Sequence, residues 1–441
     1  MPPFVTAIII FAITYVLLFA LPKWRAYIAL ASAVVFSVWL TFLCPDIEFG
    51  FSDVVGAIDF NILMMIAGTM GIVTLFIESK MPMRIADVML SKFKNVRMAL
   101  VAMALLSGVV SAFVDNVATV LMIAPVALAV CKKQNISPVS AIIAISISSN
   151  LQGAATLVGD TTSILLGGYA DMNFFDFFVF NGKPGIFWAV ELGAALTLLI
   201  LFFIFRKEKQ PLSLTDKTEV TDYVPSVLML GVIVCLILAS FIPKPEAGAL
   251  LTLYNLRNGI ICVALMVIGI IANLIRTKKL DSTKLIFKDM DYQTLLLLAS
   301  LFIVIGSLTS AGVIDKLATG LVKLGGGNLF LMYTVIVFAS VLISAFVDNI
   351  PYVLTMLPVV QGVAASMGVA PYVLYFGLLV GATLGGNITP IGASANITGI
   401  GILRKEGYEV KTGDFMKISV AFTLTAVLSG YLFIWIFWGL M

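Results

Sequence analysis

The feature that most constrains this chain is a repeated hexapeptide that sets a carboxylate inside an apolar run. Ser111-Ala-Phe-Val-Asp-Asn116 returns letter for letter as Ser344-Ala-Phe-Val-Asp-Asn349, 233 positions later. The same offset carries Val120, Leu121, Pro125, Val126 and Val130 onto Val353, Leu354, Pro358, Val359 and Val363. It carries Leu151, Gly153, Thr156 and Gly159 onto Leu384, Gly386, Thr389 and Gly392. An ungapped offset of that reach is an internal duplication. The fold must therefore be built from two like halves.

The surroundings of both copies are those of a membrane protein. Of 441 residues, 61% are hydrophobic and 12% charged, more apolar surface than a soluble domain of this size can cover. The class expected is an all-α polytopic membrane protein, with the lipid bilayer as a partner and no nucleic acid. The four cysteines lie far apart and there is no histidine, so neither a disulfide framework nor a zinc centre is expected. No organic cofactor and no enzymatic activity are expected. The first apolar segment lacks a basic leader and a small-residue cleavage site, and reads as a span.

Apolar runs at 4–21, 26–43 and 60–78 are long enough to cross, the first two joined by a tight turn at Lys23-Trp-Arg25. Residues 82–95 read as a helix lying in the interface. The arms around the first Asp-Asn pair, 98–113 and 117–131, reach about 24 Å as helix against an apolar thickness of about 30 Å. That predicts a re-entrant hairpin over 98–131 with Asp115 and Asn116 at its tip. The run 138–170 is interrupted by glycine, amides and hydroxyls, which predicts a broken helix, and 186–206 is a further span. The plan repeats with spans at 223–242, 257–276 and 291–310, a connector at 312–324, a hairpin over 329–366, a broken helix over 370–402 and a span at 415–439. Each half then holds five transmembrane helices and one hairpin: 1–206, a cytoplasmic linker at 207–222, and 223–441.

Five is odd, so the second copy enters from the opposite side and the repeats are inverted. Charge agrees. This arrangement puts 22 Lys and Arg on one face and 5 on the other, whereas a single crossing at each Asp-Asn region would split them 16 to 11. The positive-inside rule then makes the basic face cytoplasmic and both termini external, in a bacterial or archaeal plasma membrane.

An ionised carboxylate at membrane depth costs about 3 kcal/mol on insertion scales, so it marks function by default. Asp115 and Asp348 are the leading candidates, with Asn116 and Asn349 as neighbours and Na⁺ or a proton as the ion. Capping of the second arm is the plainer role for both carboxylates. Thr119, Asn150, Gly153, Thr156 and Asp160 join them from the first half. Gly385, Gly386, Asn387, Thr389, Gly392, Ser394 and Asn396 join from the second. Half-helix N-termini and unwound carbonyls can hold an ion without a basic side chain. None is needed on this arrangement, which leaves no Lys or Arg inside a span. Asp160 has Ala393 as its counterpart, so the duplication does not demand it. Glu78 and Glu191 fall near span ends, and the cysteines and most methionines read as packing.

The order hairpin, glycine-rich broken helix, span and inverted repeat resembles the ion transporter superfamily. Val114-Asp-Asn116, Asp348-Asn-Ile-Pro351 and Gly385-Gly-Asn-Ile-Thr-Pro-Ile-Gly-Ala-Ser-Ala-Asn396 resemble its arsenite-pump, sodium/proton-antiporter and melanosomal P-protein branch, with a citrate-transporter-like domain. Members continue Gly-Asp with Pro-Pro-Asn where this chain reads Gly159-Asp-Thr-Thr-Ser163. The resemblance implies a secondary active transporter, a homodimer and elevator-type alternating access. It implies coupling of H⁺ or Na⁺ to movement of a small ion, as sodium/proton antiport or as arsenite or anion transport. Sodium-coupled uptake of di- or tricarboxylates is the alternative; an ion channel and an intramembrane aspartyl protease stand further off.

Overall fold

The computed structural model describes residues 3–212, 218–278 and 280–440. Residues 213–217, inside the linker expected at 207–222, lie outside the described residues, as do 1, 2, 279 and 441. The chain is an all-α membrane protein made of two inverted repeats, each with a re-entrant hairpin.

The first half runs α1 (Pro3–Ala20), α2 (Arg25–Leu43), α3 (Phe51–Ala57), α4 (Phe60–Glu78), α5 (Met81–Leu90), α6 (Val96–Ser111), α7 (Asn116–Lys133), α8 (Val139–Gly153), α9 (Thr161–Tyr169) and α10 (Ile186–Ile204). A two-stranded turn, β1 (Val179–Phe180) with β2 (Lys183–Pro184), lies between the last two. The second half runs α11 (Val224–Ala239), α12 (Ala249–Asn255), α13 (Arg257–Thr277), α14 (Leu280–Asp289), α15 (Tyr292–Ser310), α16 (Val313–Leu324), α17 (Leu329–Ser344), α18 (Asn349–Met367), α19 (Tyr372–Leu379), α20 (Ser394–Lys405) and α21 (Thr412–Ile434). Among the described residues nine helices are long and apolar enough to cross a membrane. Apolar surroundings offer the backbone no water, so the chain pairs its amides within helices wherever it meets lipid.

Helix starts are duplicated along with the helices. Asn95 caps α6 through the Met98 amide at 2.9 Å, and Asn328 caps α17 through the Leu331 amide at 3.1 Å. Asp59 caps α4 and Asp291 caps α15, each accepting an amide three residues on at 3.0 Å. Such caps stabilise a helix by about 1 kcal/mol each. The second hairpin arms are longer than the spacing predicts: α7 has 18 residues and α18 has 19. Helical propensity carries both past the expected ends, through Pro125 and Pro358. The helices α3, α12 and α14 arise in connections that the apolar pattern left open. All three are short and carry polar residues, so hydropathy does not reveal them.

The halves interlock by exchange. Helix α4 packs along α13, and α15 packs along α2. Asn61 Oδ1 accepts the Gly259 amide at 2.8 Å in the first of these seams. The connections sort onto two faces. On one, the linker pairs with the start of α6, where the Val96 amide meets Gln210 O at 3.0 Å and the Leu212 amide meets Lys94 O at 2.9 Å. The same face carries Arg276 paired with Asp222 and, at the hairpin base, Lys132 with Glu406 at 2.5 Å. On the other face, Lys244 pairs with Asp171 at 2.8 Å, and Trp438 Nε1 donates to Pro184 O at 3.0 Å. This grouping matches the one that the basic residues define.

The two faces predict opposite accessibility for exposed lysines. In a background lacking the native cysteines, Lys209→Cys is expected to react with an impermeant maleimide only from the cytoplasm and Lys244→Cys only from outside. Labelling of both from one side would contradict the inversion.

Candidate functional site

Each hairpin tip is clasped by the unwound stretch of its own broken helix. The first break, 154–160, separates α8 from α9. The Thr156 hydroxyl donates to Ala112 O at the tip, and the Val158 amide donates back to Thr156 Oγ1 at 3.4 Å. In the second half α19 passes through a π-turn at Val380–Leu384 and unwinds over 386–393. There the Thr389 hydroxyl donates to Ala345 O, and the Ile391 amide donates to Thr389 Oγ1 at 3.4 Å.

Glycine is required at the centre of each clasp. A Cβ on Gly159 would sit 2.5 Å from Gly153 O and 2.7 Å from both Ser111 O and Ala112 O. A Cβ on Gly392 would sit 2.6 Å from Gly386 O and 2.7 Å from both Ser344 O and Ala345 O. Three carbonyl oxygens therefore crowd each glycine, one from the broken helix and two from the tip. Carbonyls freed from helical pairing are the groups that replace water around a cation.

The two clasps differ in charge. In the first, Asp115 Oδ1 caps α7 through the Val117 and Ala118 amides at 3.0 and 3.1 Å. Asp160, 4% exposed, leaves its own helix uncapped and accepts the Thr162 hydroxyl at 2.8 Å. Both carboxylates border a cleft of about 20 Å³ with Gly159, Thr161 and Thr69 of α4, room for one water-sized occupant. Neither takes part in an ion pair among the described residues. The buried hydroxyls of Ser111 and Ser163 have no hydrogen-bond partner among the described residues, nor does Asn396 Oδ1, which stands at the duplicated position of Ser163.

In the second clasp Asp348 caps α18 through the Ile350 amide at 3.1 Å, and its other oxygen forms an ion pair with Arg25. The expectation that no Lys or Arg enters a span is corrected here. Arg25 is the first residue of α2, and its long side chain carries the guanidinium to the tip.

A chain of amides joins the halves. Asn116 Nδ2 donates to Asn150 Oδ1 at 3.1 Å, and Asn150 Nδ2 donates to Asn387 Oδ1 at 3.1 Å and to Thr383 O at 2.7 Å. Asn387 Nδ2 donates to Ile147 O at 3.0 Å. Asn150 and Thr383 are 233 residues apart, so each touches its own duplicate and the pseudo-twofold axis passes between them. The Thr162 and Thr383 hydroxyls meet at 2.9 Å across the same junction.

The candidates Asp115, Asn116, Asn150, Gly153, Thr156 and Asp160 thus come together, as do Asp348, Gly386, Asn387, Thr389, Gly392 and Asn396. Asn349, the first residue of α18, is buried. Thr119 turns its hydroxyl to Val114 O within its own hairpin, at 3.5 Å. Gly385 lies against the Val341 backbone of α17, and half-buried Ser394 stands outside the amide chain. Arg25, Thr162, Ser163 and Thr383 were missed. The departure at Thr161-Thr-Ser163 was the visible signal for two of them. A larger cavity of about 630 Å³ lies at the face carrying Lys244, lined by Asp59, Asn61, Arg257 and Asn258, and none of the predicted site residues reaches it. Burial pushes the Asp59 carboxyl above its usual range, against hydrogen bonds from the Ile62 and Asn61 amides.

The citrate transporter family matches residues 9–381. An uncharacterized transporter of Mycobacterium tuberculosis is 30% identical over 436 residues, covering 98% of each chain. The human P protein is 26% identical over 438 residues, covering 83% of this chain and 52% of its own. The crystal structure of the YdaH transporter of Alcanivorax borkumensis shares the fold, with a TM-score of 0.59 over 99% of this chain and 98% of that one, at 14% identity.

The clasp predicts a sharp difference between glycines. Gly159→Ala is expected to destabilise the detergent-purified protein by about 1–3 kcal/mol, because three backbone oxygens must move. Gly401→Ala, with nothing within 4 Å of its added Cβ, is expected to leave melting unchanged or raised. Equal melting of the two variants would remove the clasp.

Proposed function

The chain belongs to the citrate transporter family, and we propose that this membrane transporter is a secondary active carrier coupling H⁺ or Na⁺ to the movement of a small ion. One observation carries the reading: Asp115 and Asp160 share a cleft beside the first tip with no counter-charge among the described residues. Two carboxylates in a poorly solvated cleft hold a field that a proton or a small cation relieves. The tip carbonyls and the Ser111 and Ser163 hydroxyls offer the shell that such an ion leaves behind in water. Asn116 and Asn150 tie this tip to the opposite half, so occupancy in one clasp bears on the other.

Movement follows the elevator pattern in this reading. The two clasps travel as one body because the amide chain joins them, while the α4–α13 and α15–α2 seams stay in place as a frame. A homodimer of such frames would hold the moving bodies apart. The cargo is a small anion or an exchanged cation. The family description favours a second form of the reading, cation-coupled uptake of a carboxylate such as citrate.

Proteoliposomes under imposed Na⁺ or proton gradients test the coupling. Asp115→Asn and Asp160→Asn keep shape and remove charge. Each is expected to lower apparent cation affinity about tenfold or more, equivalent to about 1.4 kcal/mol. Wild-type ion dependence in both variants would sink the reading. Counterflow of citrate, arsenite, Na⁺ and Li⁺ in the same vesicles separates the carboxylate form from the antiport form.

A further inference from the structure

The duplicated tips are identical over six residues and unlike in charge. The first has Asp115 and Asp160 with no cationic partner among the described residues; the second has Asp348, Ala393 and Arg25. The duplication shows where the difference lies. Helices α2 and α13 each open on an arginine, Arg25 and Arg257, 232 residues apart, the offset that also relates the caps Asp59 and Asp291. Arg25 pairs with Asp348, whereas Arg257 donates to Tyr254 O at 2.8 Å and lies over that ring. Two differences separate the clasps: a carboxylate at 160 where the other half has Ala393, and an arginine of α2 that reaches the tip where Arg257 of α13 turns to its own connection.

Arg25 is held in place. The Tyr15 hydroxyl donates to Pro351 O at 2.8 Å and also meets the Thr355 hydroxyl, fixing α1 against α18 beside the tip. The side chains of Arg25 and Asp348 are 26% and 18% exposed, so neither charge is fully solvated. Removing one partner of such a pair leaves a charge that the protein must neutralise in another way.

We propose that Arg25 is a tethered counter-cation. It occupies, at the second tip, the place that an exchangeable cation takes at the first, and so leaves the Asp115–Asp160 clasp as the single exchangeable cation site. Charge arithmetic follows: the second clasp is neutral by construction, and a variant lacking Arg25 gains a second cation site. The inference rests on reading the first clasp as a cation site, and different peptides report on the two claims.

Dicyclohexylcarbodiimide modification of the full chain, mapped by mass spectrometry, tests it. The reagent needs a carboxyl proton, so a carboxylate paired with guanidinium reacts poorly. In wild type we expect adducts at Asp115 or Asp160, suppressed by Na⁺ or Li⁺, and none at Asp348. Arg25→Lys should still spare Asp348. Arg25→Gln should raise its modification about tenfold or more, with Na⁺ or Li⁺ now suppressing it. Reaction of Asp348 in wild type as fast as Asp115, or its inertness in Arg25→Gln, overturns the proposal. Missing adducts at both Asp115 and Asp160 would instead count against the coupling reading. Should Arg25→Gln fail to insert, the transposed pair Arg25→Asp with Asp348→Arg replaces it. Insertion without an adduct at position 25 then supports the pair, and failure to insert overturns it.

Discussion

Everything at the centre of this molecule depends on how unwound backbone is satisfied away from water. A free carbonyl or amide in apolar surroundings costs several kcal/mol. The chain unwinds twice near its middle, and both times the partner is a hairpin tip. The Thr156 and Thr389 hydroxyls bind tip carbonyls, and Gly159 and Gly392 let the strands approach closely enough for that contact. Tip and break support each other; neither is a stable arrangement in isolation.

Duplication supplies this arrangement twice, and the two copies differ in charge. Their backbones and clasping threonines are alike, while their charges differ through Asp160, which stands opposite Ala393, and through Arg25, which pairs with Asp348. The amide chain through Asn150 and Thr383 ties the unlike halves together at the axis itself.

Much of this was legible in the sequence because its causes are local or repeated. Hydropathy located the long helices, and the 233-residue offset located both breaks and both hairpins with Asn116 and Asn349. Basic residues sorted the connections onto faces, and hydrogen bonds such as Val96 to Gln210 and Trp438 to Pro184 show the same sorting. The glycines of the breaks stood out because unwinding needs them wherever backbone meets backbone.

Tertiary structure alone decided the electrostatics. Arg25 and Asp348 are 323 residues apart, and Arg25 looks like an ordinary interfacial residue at a turn. Its reach depends on where α2 begins and on how far the second hairpin extends, and no periodic pattern encodes either. The Thr162–Thr383 and Asn150–Asn387 contacts likewise join residues from separate halves, 221 and 237 positions apart. The sequence by itself determined that two carboxylate-bearing hairpins would face each other in a membrane, because burial pattern and duplication act along the chain. Only the fold decided which carboxylate is neutralised, because ion pairing depends on distances through space.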